Sequence, residues 1–209
     1  MLDPPATCSL FERIMHQDIS GLGSKRVFDI ALALVLALPA LLACIVGALL
    51  IWFDDRANPF FLQIRLGRDE RPFRLVKLRT MRIGTGDRPS HETGRQSITR
   101  VGFMLRRTKL DELPQLWNVL RGEMSFVGPR PGLPGQTELA DSRRRHGVHR
   151  LVPGITGVSQ VRGLDMSMPE LLAEIDATYL VDWSPKRDVS LLIRTALGGG
   201  RGDAAKLTP

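Results

Sequence analysis

The chain has 209 residues, 43% of them hydrophobic, which is enough for one domain with a packed core and excludes wholesale disorder. Its net charge of +7 predicts an anionic partner, such as a phospholipid surface, a phosphorylated substrate or a nucleic acid. Aromatic residues make up only 6% and are not interleaved with basic ones as in proteins that stack bases. We therefore expect membrane lipids or phosphates as partners, and no nucleic acid.

The first feature in chain order is a long apolar run. Residues 1–24 show no sustained period and predict an N-terminal segment without an assigned function, and the apolar run begins too late for a secretion signal. No charge occurs from Ile30 to Phe53, roughly the length needed to cross a bilayer, so we expect a membrane helix over residues 25–53. Pro39 interrupts its hydrogen bonding and should kink it. Cations flank both ends, which favours a helix that dips in and returns, although a simple span stays possible.

A β-hairpin is predicted next. Phe60, Leu62 and Ile64 recur at every second position, residues 67–70 form a turn, and Phe73 and Leu75 resume the alternation. We expect this hairpin on the membrane-proximal side. Its basic residues fit lipid headgroups or substrate phosphates, and equally fit a plain solvated surface. Residues 83–97 are rich in Gly, Pro and Ser and predict an exposed, mobile loop that could close over a substrate.

Two adjacent carboxylates, Asp111 and Glu112, mark the predicted start of a helix. Asp111 is a good N-cap and Pro114 is tolerated in a first turn. Placed at the positive end of a helix dipole and close to Arg106, these acids should be ionised and exposed. Such a carboxylate can act as a nucleophile, a general base or a Mg²⁺ ligand. The alternative is a capped helix whose acidic first turn is simply solvated. The predicted apolar stripe of this helix consists of Leu113, Leu116, Trp117 and Leu120.

The rest of the chain predicts helices and loops. A polar helix is expected over residues 137–149, with its arginine run at 143–145 facing solvent or headgroups. A helix from about 169 to 183 should be capped at Ser167, and a second apolar stripe covers 189–197; both fit either a core or a membrane surface. Residues 199–209 predict a flexible tail.

The motifs together resemble one family. Residues 110–131 read LDELPQLWNVLRGEMSFVGPRP, residues 75–81 read LVKLRTM, and residues 153–157 read PGITG. These segments resemble the bacterial sugar transferases known as monotopic phosphoglycosyl transferases, over nearly all of the chain from Lys25 to about Ala204. The resemblance implies an α+β, mainly helical fold, with a proline-broken re-entrant membrane helix (25–53), a short β-hairpin and amphipathic helices at the membrane surface. It places a cytosolic catalytic domain (54–198) on the cytoplasmic face of the bacterial inner membrane. Family members usually carry serine before the proline, where this chain has Leu38.

The resemblance also implies an activity and its residues. Members transfer a sugar 1-phosphate from a UDP-sugar to polyprenyl phosphate and release UMP, with Mg²⁺ as cofactor. By resemblance, Asp111 is the nucleophile and a metal ligand, and Glu112 assists. The candidate phosphate-binding residues are Arg106, Arg130, Lys77, Arg79 and Arg162. The last of these is a substitute, because members often have arginine where this chain has Leu164. The alternative is a non-catalytic, membrane-anchored basic scaffold of a polysaccharide assembly complex.

Overall fold

The computed structural model describes residues 21–56, 58–85 and 97–199. The predictions for most of the N-terminal segment, for most of the loop at 83–97 and for nearly all of the tail lie outside the described residues.

The described chain is mainly helical with two small sheets, which confirms the predicted mixture of helix and strand. The helices are α1 (Gly21–Asp55), α2 (Arg100–Thr108), α3 (Leu116–Arg121), α4 (Thr137–Arg145), α5 (Val158–Val161), α6 (Pro169–Val181) and α7 (Pro185–Ala196). The strands are β1 (Phe60–Leu66), β2 (Pro72–Leu78), β3 (Ser125–Val127) and β4 (Gly154–Thr156). Short 3-10 helices cover Arg68–Glu70, Leu110–Gln115 and Val148–Arg150. β1 and β2 are antiparallel, whereas β3 and β4 form a parallel pair that the sequence analysis did not predict.

Helix α1 carries the apolar run. Within the described part of the chain it is the one helix long and apolar enough, by length and composition, to cross a membrane. It is assigned as one helix through Pro39, so a break or bend there stays a prediction.

One narrow face of α1 packs on the rest of the protein along its length. Its buried residues follow helical spacing and are Lys25, Asp29, Ala33, Ala40, Gly47 and Ile51. Small residues allow the close approach, since a Cβ on Gly47 would lie 2.7 Å from the side chain of Leu78. Ile51 completes a cluster with Leu78 and Leu105. The remaining faces of α1 expose large apolar side chains.

The β-hairpin is confirmed, with the apolar side chains of β1 facing outward. Phe60, Leu62 and Ile64 are 43%, 57% and 43% exposed, whereas Gln63 and Arg65 between them are buried. This is the reverse of a strand that packs its apolar face on a core. β1 thus turns polar side chains inward, whereas β2 buries the apolar side chains of Phe73 and Leu75.

Arg143 corrects the prediction of a solvated arginine run. It is buried, its Nη2 donates to the carbonyl of Arg130 at 2.7 Å, and it lies 3.8 Å from Asp176. Arg144 pairs with Glu70 across the surface at 2.9 Å. Periodicity could not reveal this, because the burial of Arg143 depends on partners far away in the chain.

The last two helices are confirmed, with caps that differ from the prediction or were not predicted. α6 begins at Pro169, and Met168 precedes it without a side-chain cap, so the predicted cap at Ser167 is wrong. α7 begins at Pro185, earlier than the predicted stripe, and Ser184 caps it by accepting from the backbone N–H of Arg187 at 3.2 Å.

Candidate active site

A break between two helices presents the paired acids. Thr99 caps α2, which ends at Lys109, where a φ of 58° turns the chain. Asp111 and Glu112 then lie in the 3-10 helix Leu110–Gln115, ahead of α3. The prediction that Asp111 caps one continuous α-helix is therefore wrong. The left-handed residue Lys109 ends the preceding helix and starts the next segment.

Asp111 is buried rather than exposed. Only 8% of the residue is accessible, because the 3-10 helix packs against β2 and α1. Burial, followed by the neighbouring Glu112 carboxylate, raises the pKa of Asp111 to about 6. Three cations oppose this rise, namely Lys77, Arg106 and Arg130. The predicted stripe is also partly wrong, since Trp117 is 58% exposed while Leu116 is buried.

The three cations reach Asp111 from three separate elements. Lys77 lies on β2, Arg106 in the last turn of α2, and Arg130 in the loop after β3. Arg106 Nε donates to Thr80 Oγ1 at 2.8 Å, and Arg130 Nη1 lies 3.1 Å from Glu112 Oε1. Folding thus surrounds one buried carboxylate with positive charge.

Lys77 is the cation whose protonation is most affected. Burial, then the positive charge of Arg65, lowers the pKa of Lys77 to about 8, while Asp111 acts in the opposite direction. Its Nζ lies 5.0 Å from the centroid of the Phe61 ring. A small change in pH near 8 therefore changes the charge next to the nucleophile candidate.

A cavity of about 280 Å³ adjoins this cluster, and Lys77 and Arg106 belong to both. Arg79 and Arg82 also line it, and no carboxylate does among the described residues. The Nε of Arg79 is buried and has no hydrogen-bond partner in the described part of the chain. Such a cavity favours an anionic ligand. The fold thus brings Lys77, Arg79 and Arg106 together at one cavity, and their role in phosphate binding stays a prediction.

Arg162 lies elsewhere. It is exposed at the C-terminal end of α5, and it is not among the charges that most affect the pKa of Asp111 or Lys77. Its role as a phosphate ligand stays a prediction.

The Gly-Pro-Arg-Pro and Pro-Gly-Ile-Thr-Gly segments lie directly against each other. The N–H of Gly128 donates to Thr156 at 2.8 Å, and that of Gly154 donates to Pro129 at 2.9 Å. A Cβ on Gly154 would lie 2.1 Å from the backbone nitrogen of Gly128, so no larger residue fits. The second motif therefore supports the backbone that carries Arg130.

Sequence reasoning gave Arg65, a residue next to the site, no role beyond the one shared by the basic residues of the hairpin. Its Nε donates to Gln63 Oε1 at 2.8 Å and its Nη1 donates to the carbonyl of Pro131 at 3.0 Å. Arg65 thereby joins β1 to the loop of Arg130. The available signal was the placement of polar residues 63 and 65 between outward apolar ones.

The carboxylates of Asp111 and Glu112 fit a metal ion that arrives with the substrate better than one that the protein holds by itself. Among the described residues there is no group of three or more His, Cys, Asp and Glu side chains that could hold a metal. Asp111 and Glu112 offer two carboxylates, and Mg²⁺ commonly binds one or two carboxylates together with substrate phosphates. The donor set therefore fits Mg²⁺ brought in with a phosphorylated substrate, which stays a prediction.

Comparison with known proteins identifies the family of this chain. The family model described as "Bacterial sugar transferase" matches residues 21–199. The chain therefore belongs to the bacterial sugar transferase family, and its class is that of the phosphoglycosyl transferases.

Particular relatives sharpen the comparison. The "UDP-glucose:undecaprenyl-phosphate glucose-1-phosphate transferase" of Caulobacter vibrioides is 40% identical over 183 residues, which cover 82% of this chain and 67% of the relative. "Exopolysaccharide production protein ExoY" of Sinorhizobium fredii is 35% identical, over 82% of this chain and 83% of the relative. An Escherichia coli protein with the same name as the Caulobacter one is 34% identical, over 87% of this chain and 41% of the relative. The chain thus spans only about two fifths of some of its relatives.

Proposed function

We propose that this protein transfers a sugar 1-phosphate from a UDP-sugar to polyprenyl phosphate and releases UMP. The observation that carries the proposal is the buried carboxylate of Asp111, surrounded by cations from three elements and adjoining a cationic cavity. The names of the relatives support the same reaction, since two of them specify a UDP-sugar and undecaprenyl phosphate.

The reaction proceeds in two displacements at one phosphorus. A carboxylate oxygen of Asp111 attacks the β-phosphorus of the UDP-sugar, the bond to the bridging oxygen breaks, and UMP leaves with that electron pair. A phosphate oxygen of the polyprenyl phosphate then attacks the same phosphorus and displaces the Asp111 carboxylate. Polyprenyl diphosphate sugar is released, and Asp111 is regenerated. The kinetics are therefore ping-pong.

The surrounding residues solve a charge problem, because an anionic nucleophile must approach an anionic diphosphate. Arg106 and Arg130 bind phosphate oxygens through their forked donors, and Lys77 and Arg79 add positive charge along the cavity. Glu112, which pairs with Arg130, orients that guanidinium until substrate arrives. Asp111 and Glu112 would hold Mg²⁺, which would neutralise phosphate charge.

The membrane helix brings this site to the lipid substrate, and we propose that α1 enters the bilayer and returns to the same face. Both ends of α1 contact the same globular part. Near one end, Lys25 Nζ lies 2.8 Å from Asp188 Oδ2 on α7; near the other, Ile51 packs with Leu78 and Leu105. A helix upright across about 30 Å of hydrocarbon would separate its ends. The cations at both flanks favour the cytoplasmic face of the inner membrane.

One assay tests the activity. Detergent-solubilised protein with Mg²⁺, polyprenyl phosphate and a panel of UDP-sugars should release UMP from at least one donor, and Asp111→Asn should abolish that release. Glu174→Gln is the matched control, because it removes an exposed carboxylate on α6. Equal UMP release from the Asp111→Asn variant would remove the nucleophile assignment.

A second arm tests the intermediate. Without acceptor, labelled donor should leave one sugar phosphate per protein on Asp111. Turnover with no such adduct would leave the transfer reaction but contradict the two-step route. The reaction fits the first step of exopolysaccharide, capsule, O-antigen or glycoprotein glycan assembly.

A further inference from the structure

Asn118 is a buried polar residue that the proposed mechanism does not use. It lies in the first turns of α3 and is 1% exposed. Its Oδ1 accepts from the backbone N–H of Val76 at 3.2 Å, and its Nδ2 donates to the carbonyl of Arg74 at 2.7 Å. Nδ2 also donates to Glu123 Oε2 at 2.8 Å, which fixes the orientation of the amide.

The two hydrogen bonds from the Asn118 amide to β2 resemble those that a neighbouring strand would make. β1 pairs with one edge of β2, and the Asn118 amide offers a donor and an acceptor to the other edge on either side of Leu75. Pairing with β1 fixes β2 within the hairpin, but it does not fix the hairpin against the rest of the protein. The Asn118 amide attaches β2 itself to α3, in addition to the bond by which Arg65 attaches β1 to the loop of Arg130.

Both reactive groups depend on the elements that Asn118 joins. Lys77 follows Val76 directly on β2, and Asp111 lies seven residues before Asn118 in the helical segment Leu110–Arg121. We propose that Asn118 is a positioning residue, which clips the hairpin to the helical segment and thereby sets the distance between the Lys77 ammonium and the Asp111 carboxylate. The inference rests on the proposed function, because that distance matters only if the pair acts on phosphate.

Asn118→Leu tests the clip, because leucine has a similar volume and makes none of these hydrogen bonds. We expect kcat/KM for the UDP-sugar to fall about 10- to 100-fold, as for misplaced reacting groups. The loss should lie in kcat, with the KM for the UDP-sugar near its wild-type value, because the chemical step depends on the distance between the reacting groups.

Thr195→Val is the matched control. It removes a hydrogen bond between Thr195 and Thr156, 2.6 Å in length, on elements other than β2 and the helical segment. A loss of stability alone would lower the activity of both variants only in proportion to their folded fraction. If kcat per folded Asn118→Leu protein equals that of the wild type, the proposal is overturned.

Two further results keep the inference separate from the proposed function. If Asp111→Asn still releases UMP, the proposed function fails whatever Asn118 does; if Asp111→Asn is inactive and Asn118→Leu is normal, only the clip fails. If Asn118→Leu does not fold, hydrogen exchange of the wild-type protein tests the clip instead. The Val76 amide must be protected, and exchange at loop rates would overturn the clip.

Discussion

Replacing Asp111 by asparagine should make the protein more stable while it removes activity. The folded protein raises the pKa of this carboxyl from its ordinary 3.8 to about 6 because burial disfavours the charge. A group with a raised folded pKa contributes stability that is present below its unfolded pKa and lost as the pH rises through the folded pKa. At neutral pH the wild type therefore carries a cost that the neutral amide lacks.

The size of that cost follows from the two pKa values. The interval from 3.8 to about 6 corresponds to at most about 3 kcal/mol of unfolding free energy. For a protein of this size, 1 kcal/mol shifts Tm by roughly 2 to 4 °C, so Asp111→Asn should raise Tm by at most about 6 to 12 °C. The gain of Asp111→Asn should grow between pH 4 and pH 6 and then level off.

Thermal unfolding in detergent between pH 4.5 and 7.5 measures this gain. Glu174→Gln, at an exposed position on α6, should change Tm by little at any pH in that range. A variant at Asp111 that is no more stable than the wild type at pH 7.5, or equally stabilised at all pH values, would refute the reasoning. The same preparation should release no UMP.

Three further outcomes are expected. The kcat/KM for the UDP-sugar should rise through a pH near 6, as Asp111 ionises, and fall through a pH near 8, as Lys77 loses its proton. Lys77→Arg should abolish the fall, and a fall that persists would assign it to another group. Arg130→Lys should lower UMP release about 10- to 100-fold, since it loses the forked contact and the pairing with Glu112; a full rate would exclude the predicted clamp. Removal of Mg²⁺ by a chelator should abolish release and Mg²⁺ should restore it, whereas unchanged release would exclude the metal.

Local patterns predicted the elements well where a short stretch of chain decides the structure. The alternation around Leu62 and the turn at 67–70 predicted the hairpin, because strand periodicity is a property of adjacent residues. The uncharged run ending at Phe53 predicted α1 for the same reason. Local chemistry marked Asp111 as a candidate but left its role open, and the motif resemblance assigned the roles of Asp111 and Arg130.

Contacts between distant segments determined the burial of side chains, which the local sequence patterns did not predict. Asp111 was expected to be exposed and is buried, because β2 and α1 cover the short helix that carries it. Arg143 was expected in solvent and is held by Asp176, 33 positions later. Neither environment is encoded by the neighbours of the residue.

The amino-acid sequence by itself therefore determined which groups are present and which local structure carries each of them. Only the tertiary structure decided their charge states, because pKa values depend on burial and on cations that arrive from β2, α2 and the loop after β3. It also decided that an amide on α3, at Asn118, binds the free edge of β2, more than 40 residues earlier in the chain. Desolvation and long-range pairing exist only once the chain has folded, which is why no stretch of sequence reports them.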